Sequence, residues 1–119
     1  MEKLEMEFYK EIKYVIDDSL ELFEKTVSGE KTRYNDYLWT SAEKEYKLLQ
    51  KSKLSKEQIK AIKEIMSDVC ITIVHSLFVS IDGGTALSGE GKALELIDRK
   101  TGKPLTVGAL HENFMEVFE

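Results

Sequence analysis

Glu64, Asp68, Thr72, His75 and Asp82 fall in step along one segment of the chain. On a helix turning 100° per residue they project within roughly 80° of one another, while the residues between them become apolar. Carboxylates and an imidazole aligned on one helix face could bind a metal ion or hold a proton-transfer pair. Asp68, His75 and Asp82 are therefore the candidate catalytic residues. Their spacing counts against a metal centre, because residues seven apart on a helix are separated by about 10 Å. A complete ligand set would need acids from elsewhere, such as Asp17, Asp18 and Glu21, or His111 and Glu112. The simpler reading makes the stripe a solvent edge or a hydrogen-bonded seam between helices. No metal and no cofactor is expected.

Other reactive residues lead nowhere specific. Gly83 to Lys92 is rich in glycine, but a phosphate-binding loop needs Gly, four residues, then Gly-Lys-Ser/Thr. Counting back from Gly91-Lys92 puts Ala86 at the first glycine position, and Ala93 follows the lysine. Cys70 and His75 are five residues apart and face different ways on a helix, so Cys70 reads as a small buried hydrophobe. Trp39, Tyr34, Tyr37 and Tyr46 read as packing residues, of the types that also anchor interfaces. His111 reads as a surface residue.

The stripe needs a long helix to carry it, and the sequence supplies one. Ser55-Lys56-Glu57-Gln58 is a capping box, in which hydroxyl and amide satisfy orphan backbone N–H groups. Ile59, Ile62, Ile65, Met66, Val69, Ile73 and Leu77 then follow at spacings of three and four. From Val69 to Ile81 the residues are almost wholly apolar, and Asp82-Gly83-Gly84 stops them. A central strand over Ile71 to Ile81 is the rival, since β-branched residues crowd there. The unbroken helical spacing favours one helix from Ser55 to Asp82, and its apolar sides predict the most buried element of the fold.

Residues 3–27 form an amphipathic helix with Leu4, Phe8, Ile12, Val15, Ile16, Leu22 and Phe23 as its stripe. A second helix is expected from about Asp36 to Lys51, and a short link makes it the antiparallel neighbour of the third. Ala93 to Asp98 and Pro104 to Leu105 flank Asp-Arg-Lys-Thr-Gly, a hairpin signal with Gly102 at the turn and Pro104 holding the second strand to an edge. Ala109 to Phe118 closes the chain as a short helix. The expected fold is mainly α (α+β): an antiparallel three-helix bundle over 1–82, then a small β-hairpin and a C-terminal helix within 83–119, all one domain over 1–119.

Composition bounds the function. The 119 residues are 42% hydrophobic and 33% charged, the balance of a soluble domain able to bury a core unaided. The apolar run is punctuated by Thr72, His75, Ser76 and Ser80 and reads as too short to span a bilayer. The acidic N-terminus does not resemble a signal peptide, and one cysteine excludes an intramolecular disulfide, so a cytoplasmic location is expected. Net charge is −5. Residues 1–27 hold eight acids against four lysines, whereas 42–64 hold seven lysines interleaved with four acids. That is a solvated helical surface, without the concentrated basic face of a nucleic-acid binder.

Small size, acidity and dense charge resemble bacterial accessory proteins, among them immunity proteins that neutralise a toxin by binding it. The resemblance covers no motif and carries no residue roles. It implies a non-catalytic protein-binding module whose partner is a basic protein or a second copy of the chain. The alternative is a small metal-dependent or acid/base enzyme using Asp68, His75 and Asp82.

Overall fold

The computed structural model describes residues 3–29, 40–83, 94–105 and 110–118, and 78% of these are helical. The elements are α1 (Lys3–Val27), a 3₁₀ turn (Thr40–Ala42), α2 (Glu43–Lys51), α3 (Lys56–Ile81), α4 (Leu110–Met115) and a closing 3₁₀ turn (Glu116–Phe118). The helical-bundle character expected from the sequence is present. Residues 36–39 of the expected second helix, with Tyr34, Tyr37 and Trp39, and the glycine-rich segment 84–93 lie outside the described residues.

Helix α3 starts where its cap predicts. The Ser55 hydroxyl accepts the N–H of Gln58 at 3.1 Å, and the Gln58 amide oxygen accepts the N–H of Ser55 at 2.9 Å. Its end is set by Gly83, whose φ of 80° places it in the left-handed region that costs glycine nothing.

The chain forms two compact units, one of residues 14–70 and one of residues 1–13 with 71–119. In the first, Phe23 and Val27 of α1, Tyr46 of α2 and Ile59 of α3 make the buried core, with Leu49, Ile62 and Met66 packed against it. Three helices therefore share one core here. The Gln50 amide donates to the Thr26 carbonyl at 2.7 Å, and Lys63 pairs with Glu24. In the second unit Tyr9, Phe78, Leu110 and Phe114 are the buried core. Their rings meet edge to face, with Phe78 and Phe114 centroids 5.2 Å apart and Tyr9 and Phe78 centroids 5.8 Å apart, the arrangement favoured by the ring quadrupoles.

The β-hairpin is not formed. Residues 94–105 contain no strand, only an isolated antiparallel bridge between Ile97 and Pro104. The turn itself is present. Gly102 has a φ of 71° and donates to the Asp98 carbonyl, and Asp98 accepts from the Thr101 hydroxyl and the Lys100 N–H. These bonds hold the Asp98 carboxyl below its usual range. What is missing is a reason for the flanks to extend. Leu94 and Ile97 are exposed, only Leu96 packs on the core, and Pro104 has no N–H to give a ladder.

The expectation that α3 is the most buried element is also overturned. Ile65, Val69, Ile73 and Leu77 are all half exposed or more. Exposure along α3 repeats every four residues. Positions 60–61, 64–65, 68–69, 72–73 and 76–77 face outward, and the pairs between them face in. The inward pairs supply both cores, and among the described residues the outward apolar row packs on neither.

Candidate functional site

Asp82 ends α3, and its carboxylate is almost completely buried, with 4% of the side chain exposed. It is satisfied by α4. One oxygen accepts the N–H of Leu110 at 3.3 Å, and the other accepts the N–H of His111 at 3.1 Å. The same Oδ2 lies 2.5 Å from His111 Nδ1. A carboxylate can only accept, so Nδ1 carries the proton and Nε2 faces away, 4.0 Å from Glu112 Oε1. Asp82 thus caps α4 from a distant point in the sequence, where a negative charge also suits the helix dipole. His75, two turns back on α3, stands edge to face with His111, ring centroids 5.6 Å apart.

The surroundings are unusually polar for a core. Glu5 is 2% exposed and accepts from the Asn113 amide at 2.9 Å. Tyr9 is fully buried, and its hydroxyl has no hydrogen-bond partner among the described residues. Burial, then the charges of Glu5, Asp82 and Glu116, push the Tyr9 phenol well above its ordinary value and keep it neutral.

The structure therefore gathers two of the candidate residues and leaves the third apart. His75 and Asp82 meet through His111, whereas Asp68 is exposed on the outward face of α3 with Glu64 and Thr72. An imidazole held by a carboxylate is the geometry of an oriented base. Here Asp82 spends its oxygens on capping, and among the described residues no group of three or more His, Cys, Asp or Glu is arranged to hold a metal ion. The arrangement acts as a seam joining α3 to α4. His111 belongs to it although its sequence position suggested surface. The only local signal in the sequence was an acid at the end of one helix and, before Leu110, Gly108-Ala109, which have no side chain able to cap.

The other conspicuous surface is the outward face of α3. Its apolar row, Ile65, Val69, Ile73 and Leu77, is 65, 50, 55 and 58% exposed. The row beside it runs Lys60, Glu64, Asp68, Thr72, Ser76, changing from charged to uncharged along the helix. From Val69 to Ile81 no residue carries a carboxylate, ammonium or guanidinium group. By length and composition α3 is long and apolar enough to cross a membrane, contrary to the expectation from its punctuating polar residues. Sequence reasoning placed these four residues in the core because a spacing of four fits a buried stripe as well as an exposed one.

Compared with known proteins, the chain matches no family model, no curated protein and no solved structure.

Proposed function

We propose that this chain is a non-catalytic protein-binding module that works through the outward face of α3. One observation carries the reading: four large apolar side chains stand in a single exposed row on a helix whose other face already fills the cores. Isolated exposed hydrophobes are ordinary, but a contiguous row marks an interaction surface. A protein partner fits better than a lipid one. The chain is acidic, with a net charge of −5, and anionic lipid surfaces repel it.

Ile73→Glu combined with Leu77→Glu tests this. Both positions are exposed, so the variant keeps its fold, checked by circular dichroism. The reading expects wild-type protein to associate with a polypeptide identified by mass spectrometry, itself included, and the variant to lose that association. Equal association by both proteins, or wild-type binding to phosphatidylcholine vesicles instead, would overturn it.

A further inference from the structure

We infer that the polypeptide seated on α3 is cationic: an amphipathic segment whose apolar side covers Ile65, Val69, Ile73 and Leu77 and whose lysines or arginines pair with Glu64 and Asp68. The inference deepens the protein-binding reading above and rests on it.

The carboxylates beside the row carry it. Glu64 and Asp68 are exposed and immediately precede Ile65 and Val69, so they edge the apolar row along its first half. Among the described residues neither makes a hydrogen bond or an ion pair. The exposed acids of α1 and α2 offer a contrast: Glu21 pairs with Lys25 at 3.2 Å and Glu43 with Lys47 at 3.1 Å, each across one helical turn. Glu64 instead has Asp68 one turn on, and like charges at that spacing oppose each other. Lys63, next to Glu64 in the chain, is taken by Glu24. A neutral cover over Ile65 and Val69 would strip water from both carboxylates and return nothing. A cationic cover replaces that water with ion pairs at the edge of the contact.

The same charges set spacing and direction. Glu64 and Asp68 are about 6 Å apart along the axis, so two cations one helical turn apart meet both. Beyond Asp68 the row continues with Thr72 and Ser76, and no carboxylate, ammonium or guanidinium group follows before Asp82. The partner's cations therefore gather at the Glu64 end, and the remainder of its contact is apolar. The apolar row from Ile65 to Leu77 is about 18 Å long, a little over three turns of helix. A net charge of −5 favours encounter with such a segment from a distance.

Two synthetic peptides of about 18 residues test this, both with one leucine face, the first flanked at one end by lysines and the second by glutamates at the same places. In titration calorimetry with the full chain, the lysine peptide should bind at least about tenfold more tightly, with an affinity that falls as salt rises. Glu64→Gln combined with Asp68→Asn should weaken the lysine peptide by about tenfold. Glu11→Gln combined with Asp18→Asn removes the same charge from exposed positions on α1 and should leave its affinity unchanged. All four positions are exposed, so both variants keep the fold, checked by circular dichroism. Equal binding of the two peptides, equal losses in the two double variants, or no binding of the lysine peptide would overturn the inference. If binding ignores charge but is lost in Ile73→Glu combined with Leu77→Glu, the protein-binding reading survives alone. If that variant binds peptide and captured polypeptide as the wild type does, both fall.

Discussion

Asp82 holds His111 at two atoms at once, its Oδ2 lying 3.1 Å from the backbone nitrogen and 2.5 Å from ring Nδ1. A single carboxylate thereby starts α4 and fixes the orientation of the imidazole beside it. Removing it leaves two backbone N–H groups and a ring N–H without their acceptor in a largely buried place. Asp82→Ala is expected to cost about 2–3 kcal/mol, the range for bonds to a charged group, and Asp82→Asn about half as much because one oxygen remains. Urea unfolding of the three proteins checks this. Equal stability of all three would mean that α4 does not depend on its distant cap.

Tyr9 presents the opposite situation, a buried hydroxyl with no acceptor among the described residues. Tyr9→Phe removes an unsatisfied polar group while keeping the ring that packs on Phe78 and Phe114. The expected effect is neutral to stabilising, by up to about 1–3 kcal/mol. A loss of more than about 1 kcal/mol would mean that the hydroxyl is satisfied in solution.

The same phenol governs alkaline behaviour. Its value in the folded chain is raised above the unfolded value of about 10, so the folded state keeps a proton that the unfolded state releases. The stability it contributes is complete below pH 10 and is lost as pH rises from there through the folded value. Unfolding free energy should therefore decline above about pH 10 in the wild type and less steeply in Tyr9→Phe. Part of the decline persists in the variant, because burial raises Tyr46 as well. Identical slopes would remove Tyr9 from the account.

The exposed row and the true core should respond differently to truncation. Ile73 is 55% exposed, so Ile73→Ala should change monomer stability by about 0.5 kcal/mol or less. Phe114 is fully buried among Tyr9, Phe78 and Phe118, and Phe114→Ala should cost about 3–5 kcal/mol. Unfolding at concentrations below any self-association separates the two. A cost at Ile73 approaching that at Phe114 would place Ile73 in the core after all.

Local chemistry was legible from the sequence wherever it decides structure by itself. The Ser55–Gln58 capping box, the stop at Gly83 and the Asp98–Gly102 turn all form as their residues dictate. Side-chain direction on α3 was not legible. Its spacing of three and four identifies a helix but does not say which of two apolar rows meets the aromatic residues of the cores. The flanks of the Asp98–Gly102 turn failed to become strands because extended pairing depends on a buried face, and Leu94 and Ile97 have none. For the candidate site, helical spacing put Glu64, Asp68, Thr72, His75 and Asp82 on one face, but the first three are exposed and only His75 and Asp82 turn toward His111. The partner that completes the arrangement, His111, lies on α4, and no pattern within α3 could supply it.

The central claim, as proposed above, is that the outward face of α3 is a protein-binding surface. Affinity capture by the wild-type chain and by the Ile73→Glu, Leu77→Glu variant, with retained polypeptides identified by mass spectrometry, tests it most directly. The account predicts that the wild-type chain retains an identified polypeptide, a second copy included, and that the variant does not. Equal retention by both proteins, or partition of the wild-type chain into phosphatidylcholine vesicles instead, would contradict it.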